Sequence, residues 1–189
     1  MSGGTRRHWP GAARCPTSAS TCLNASRYIT GEEPIQVSAQ ILTDPNDPRF
    51  KEVEDRISFQ LWFPSGVLAI CQSFYSAHES RRCRVLAERG WIDLDPAFAY
   101  HGLRLKTSLA RGETEQTAEI RLAEKNHFAL EMDHMAERVA KGERPHTPGQ
   151  EGLQDLRIIE AIYRAAREGR TIDLPAVAGK DTTRGHAPA

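Results

Sequence analysis

The longest apolar run in this sequence is five residues, Val67–Cys71, so no segment is long enough to cross a bilayer as a helix. An excess of charge is missing too. Lys and Arg number 25, Asp and Glu 25, and a neutral chain has no global field to gather nucleic acid or anionic lipid. The basic stretch TRRHWPGAAR, residues 5–14, is therefore read as a solvated end and not as an RNA contact. The Arg6-Arg7 pair is followed by Pro10, Arg14 and Pro16 where an export signal needs an apolar core. Cysteine is scarce and lacks CxxC spacing. Cys15, Cys22, Cys71 and Cys83 suit neither a zinc knuckle nor a disulfide framework, and read as reduced structural thiols of a cytoplasmic protein.

Several catalytic signatures are also absent. No Gly-x-Ser-x-Gly stands between a strand and a helix, and neither Gly-x-Gly-x-x-Gly nor Gly-x-x-x-x-Gly-Lys occurs. With 189 residues, 39% of them hydrophobic, the chain can still bury a core as one domain with loose ends.

Periodicity supplies the elements. A helix from Ser18 or Ser20 to Ile29 places Cys22, Leu23, Ser26 and Ile29 near one face, and Thr30-Gly31 stops it. PIQVSAQILT, from Pro34, alternates Ile35, Val37, Ala39 and Ile41 against polar neighbours, as a half-buried strand does, until DPNDP ends it. Residues 56–63 and 67–75 form a hairpin around Pro64-Ser65-Gly66, with Ile57, Phe59, Leu61 and Phe63 on one face and Ser58, Gln60 and Trp62 on the other. RCRVLAE, GWIDLD, GLRLKTSL and TAEIRLA add further strands. So many strands in succession predict an α+β fold: a predominantly antiparallel open sheet with helices packed on one face.

Two helices follow. Asn126 caps the first, whose apolar face is Phe128, Met132, Met135 and Val139 and whose stop is Gly142. The second starts near Thr147, Pro148 and Gln150, buries Leu153, Leu156, Ile159, Ile162 or Tyr163, and Ala166, and stops at Gly169. RTIDL returns as an edge strand, and residues 175–189 are too poor in large apolar groups to order. His127, Glu131 and His134, at i, i+4 and i+7, share one helix side in the manner of a metal site. A carboxylate-bridged dimetal site needs a second Glu-x-x-His, which the sequence lacks, so these groups read as the polar border of the apolar stripe and no metal is assigned.

The segment FALEMDHMAERVAKGERPHTPGQEGLQDLRIIEAIYRAAREGRTIDL resembles the close of the Gfo/Idh/MocA oxidoreductases, nearest their glucose-fructose oxidoreductase branch. CLNASRYITGEEPIQVSAQ is similar to the opening of the same C-terminal domain, so the likeness spans residues 22–174. The resemblance implies an α/β domain, residues 21–174, that shapes a sugar or polyol site, covers the nicotinamide of NAD or NADP, and pairs subunits through its open sheet face. It also implies a preceding Rossmann domain and a Glu-Lys-Pro motif, neither of which this sequence contains. The expectation is a domain that binds no cofactor alone and is catalytically incompetent as it stands. A non-catalytic homodimerising module is the other reading, since a bare apolar sheet face marks an interface.

Family members carry a pattern similar to GGALxDVGIY just before CLN, with an aspartate and, four residues on, a tyrosine or histidine beside the reacting carbon. Thr17 and Thr21 stand at those places here, and a threonine hydroxyl does not titrate near neutral pH. Codons for G-G-A-L-P-D-V-G-I, read one base later, spell A-A-R-C-P-T-S-A-S, which is Ala12 to Ser20, when the third bases are chosen freely and the variable position is taken as Pro. Residues 1–20 are accordingly expected to be out-of-frame translation or a gene-model error joined to an authentic domain; the alternative is a genuine short disordered extension.

Overall fold

The computed structural model describes residues 17–177, so the expectations for residues 1–16 and 178–189 lie outside the described residues. Two compact units divide the rest, one of residues 17–76 with 149–177 and one of residues 77–148. The fold is α+β with antiparallel strands, as expected, and the strands are shared between two four-stranded sheets, one in each unit.

In the first unit the sheet order is β3-β2-β1-β8, built from β1 (Gln36–Leu42), β2 (Arg56–Trp62), β3 (Leu68–Phe74) and the two-residue edge strand β8 (Ile172–Asp173). The expected hairpin is present, with Gly66 at φ +84° where a side chain would be strained. Alternation sorts the residues: Val37, Ile57, Phe59, Leu61 and Cys71 are buried beneath helices α1 (Thr17–Thr30) and α3 (Gly149–Glu168). Each large apolar side chain so buried contributes about 1.5–3 kcal/mol. The other face of this sheet is bare and mixed. Ser38, Gln60 and Ile70 form one cross-strand row and Gln40, Ser58 and Gln72 the next, with Ile70 63% exposed.

Both helices of this unit are rotated from their sequence expectations. In α1 the innermost residues are Ala19, Leu23 and Arg27, all 0% exposed, while Ile29 turns outward. In α3 the expected Leu153 and Leu156 are exposed, and Glu151, Gln154, Ile158, Ile159, Ala161, Ile162 and Ala165 are buried. The reason is that the first turns of α3 face Arg27 of α1, so polar residues occupy the inner positions there. Hydrophobic spacing cannot register that exchange.

The second unit holds the sheet β4-β5-β6-β7, comprising β4 (Cys83–Ala87), β5 (Gly90–Leu94), β6 (Arg104–Arg111) and β7 (Thr114–Arg121). Register and alternation place Val85, Ile92, Leu94, Leu105, Leu109 and Ile120 on one face. Ile92, Leu109 and Ile120 are exposed. Helix α2 (His127–Lys141) belongs to this unit and has the expected ends: Asn126 Oδ1 accepts from Ala129 N at 3.1 Å, and Gly142 takes the left-handed conformation. The residues of its apolar face, Phe128, Met132, Met135 and Val139, are all exposed, and no α2 residue is buried.

Candidate functional site

Helix α1 carries the positions that sequence comparison marked. Thr17 begins the helix, and its side chain lies outside the described residues. Thr21 is one turn further on, half-buried, beside Cys22. The next residues inward build a charged centre. Arg27 donates from Nε and Nη2 to the two carboxylate oxygens of Glu33, at 2.9 and 2.7 Å, and from Nη1 to Glu151 Oε1 at 2.8 Å and Asp155 Oδ1 at 2.5 Å. Asn24 Nδ2 bridges the same two acids of α3, donating to Glu151 Oε1 at 2.8 Å and Asp155 Oδ2 at 2.9 Å. Gln154 Nε2 completes the set by donating to Glu33 Oε2 at 3.2 Å.

Three carboxyl groups thus surround one guanidinium. Burial is the largest single influence on Arg27 and works to lower its pKa, but the hydrogen bonds and charges of Glu33 and Asp155 together outweigh it and raise the pKa above its already high value, so it stays charged. Burial is the largest influence on Asp155 and pushes its carboxyl above the ordinary value, with Glu151 adding to the rise. The bonds from Asn24 and Arg27 oppose it. Together these contacts fix α1, α3 and the turn after α1 to one another. The centre positions the helix.

Sequence reading missed this centre because it treats charge as surface. Two signals existed: Arg27 follows Ala19 and Leu23 at steps of four, and acids at 151 and 155 are one turn apart.

A groove of about 670 Å³ runs along β1 beyond the point where β8 stops, lined by Ser38, Gln40, Ser58 and Gln60 together with Gly169 and Arg170 at the end of α3. Hydroxyls and amides there can hydrogen-bond a neutral hydroxylated solute. The guanidinium of Arg170 is turned to Glu168 at 2.6 Å.

The third candidate disperses. His134 Nε2 accepts the N–H of His146 at 3.0 Å, and His127 lies edge-on to Tyr100 with ring centroids 6.2 Å apart. Among the described residues no group of three or more His, Cys, Asp or Glu side chains is arranged to hold a metal ion, and no helix is long and apolar enough to cross a membrane. Among the described residues every strand pair is antiparallel, and no Gly-rich turn joins a strand to a helix.

Comparison with known proteins accounts for the arrangement. Residues 19–174 match the model of the oxidoreductase family's C-terminal alpha/beta domain, the Gfo/Idh/MocA group. A D-xylose 1-dehydrogenase [NADP(+)] of Haloarcula marismortui is 28% identical over 153 residues, covering 80% of this chain and 41% of that protein. One from Haloferax volcanii, D-xylose 1-dehydrogenase (NADP(+)) 2, is 25% identical, covering 71% of this chain and 41% of its own length. Among solved structures, aldose-aldose oxidoreductase from Caulobacter crescentus, complexed with glycerol, superimposes with a TM-score of 0.75 at 49% identity, over 82% of this chain and 46% of that one. The chain therefore spans about two fifths of the curated relatives it matches. It belongs to the Gfo/Idh/MocA oxidoreductase family, whose C-terminal α/β domain residues 19–174 match.

Proposed function

We propose that residues 21–174 are the substrate-side and subunit-pairing domain of an NAD(P)-dependent sugar or polyol oxidoreductase, and that this chain transfers no hydride by itself. The observation that carries the reading is the match over residues 19–174, which begins within α1, the helix bearing Thr17 and Thr21. Relatives named for D-xylose and for aldoses support a pyranose or polyol as the substrate class. In that reaction a carbinol carbon gives hydride to the nicotinamide while a base takes the hydroxyl proton. A threonine hydroxyl can orient such a group by hydrogen bonding and cannot remove its proton near neutrality. Subunits associate through the bare sheet faces, a reading supported by the exposed Ile92, Leu109 and Ile120 of the second unit.

A chimera tests this directly. Residues 12–177 replace the matching part of the Caulobacter aldose-aldose oxidoreductase, once unchanged and once with Thr17→Asp and Thr21→Tyr. The altered chimera is expected to turn over an aldose at least about 10²-fold faster, the contribution of a positioned proton-transfer group. Equal rates from two folded chimeras would refute the assignment of those positions. Saturable enhancement of NADH or NADPH fluorescence by the natural chain alone would refute its dependence on a separate dinucleotide-binding partner.

A further inference from the structure

Cys22 and Cys71 stand apart from everything assigned above. Cys22 is on α1, half-buried and packed against the same apolar core that encloses Cys71, which is 4% exposed in the middle of β3. Ser26, one helical turn after Cys22, lies with its Oγ 3.7 Å from Cys71 Sγ while donating to the Cys22 carbonyl at 2.8 Å. The Cys71 sulfur therefore lies against the turn of α1 that runs from Cys22 to Ser26, and Cys22 packs against the same buried cluster. Cys83 belongs to the other unit.

We propose that Cys22 and Cys71 form a reversible redox pair, in which a low-molecular-weight disulfide of the glutathione class oxidises them to an intramolecular disulfide fastening α1 to β3.

The division of roles follows from access. Cys22 is the partly exposed thiol, and the hydrogen bond from Cys71 favours its thiolate, lowering its pKa while burial opposes the change. Cys22 thiolate attacks one sulfur of the small disulfide, forming a mixed disulfide and expelling the first small thiolate. Cys71, closed to the outside reagent but next to Cys22, then loses its proton and attacks the Cys22 sulfur. A second small thiolate leaves and takes up that proton. Two protein thiols are thereby oxidised by two electrons and one disulfide is reduced to two thiols. Because α1 carries Thr17 and Thr21, oxidation fixes the helix on which those positions sit.

The test uses the full chain with Cys15→Ser and Cys83→Ser, leaving Cys22 and Cys71 as its only thiols. Incubation with oxidised glutathione is expected to lower the monomer's mass by about 2 Da and to remove both titratable thiols, reversibly with a reducing dithiol. Adding Cys71→Ser should trap Cys22 as a stable glutathione adduct. Adding Cys22→Ser should leave Cys71 unmodified in the native chain. Peptide mapping of the oxidised natural chain, which avoids any substitution, should find Cys22 joined to Cys71. A lasting glutathione adduct while Cys71 is present, two retained thiols, or linkage to Cys15 or Cys83 would overturn the proposal.

Discussion

Arg27 and Glu33 are six residues apart and meet inside the protein through two parallel N–H···O bonds, at 2.9 and 2.7 Å, with Arg27 0% exposed. A guanidinium so placed loses its water and recovers interaction only from fixed acceptors, so the geometry of all its partners matters together. Replacing Arg27 by Leu leaves the buried acids Glu33 and Glu151 without their cation. Such removal of one member of a buried charge set costs about 3–5 kcal/mol. Urea unfolding should show a loss of unfolding free energy of that size for Arg27→Leu, and a loss under about 1 kcal/mol for Arg49→Leu, whose ion pair with Asp47 is on the surface.

Asp155 has the opposite pH signature from Asp55 and Asp93. Burial raises its folded pKa, so between the ordinary aspartate value and that raised value the native state binds more protons than the unfolded one. Its contribution makes stability fall as pH rises through this window. Asp55 and Asp93, whose pKa values are lowered by hydrogen bonds from Ser76 and Arg82 respectively, contribute stability that is present above the ordinary value and lost as pH falls. Comparing urea midpoints of the natural chain and Asp155→Asn across mildly acidic pH should show the variant gaining less on acidification. Parallel profiles would contradict the raised value.

Two glycines predict effects of opposite sign. A Cβ on Gly90 would sit 2.1 Å from the Ser108 carbonyl oxygen, a backbone atom of the neighbouring strand, so Gly90→Ala must push β5 from β6. We expect a loss of at least about 2 kcal/mol, read as faster amide exchange across β4–β7. Gly152 lies within α3 and a Cβ there meets nothing within 4 Å, so Gly152→Ala should stabilise by about 0.4–1 kcal/mol in thermal or urea unfolding.

How far these features are legible in sequence depends on the kind of force involved. The hairpin of β2 and β3 and the ends of α2 are local, set by Gly66, Asn126 and Gly142 within a few residues, and they stand where spacing predicts. The buried face of α3 is not local. Its first half packs Glu151 and Gln154 inward to meet Arg27 and Glu33, over a hundred residues away, and no hydrophobic period encodes a polar partner. The division of strands into two sheets is hidden for a related reason: β3 and β4 are consecutive and equally β-rich, yet each is an edge of its own sheet. Thr17 and Thr21 became candidates only through family resemblance, because an isolated threonine carries no chemical signature.

The exposed face of the second sheet gives the last prediction. Ile92 and Leu109 are 42% and 48% exposed on the same face, whereas Leu86, 73% exposed, points to the other. Apolar side chains clustered on one side of a sheet bury favourably against a second copy, and two lysines placed among them would have to lose their hydration there. Sedimentation at micromolar concentration should show self-association of the natural chain, its loss in the Ile92→Lys, Leu109→Lys double variant, and its retention in Leu86→Lys. A natural chain that sediments as a monomer would remove subunit pairing through this face; loss in Leu86→Lys alone would move the interface to the opposite side of the sheet.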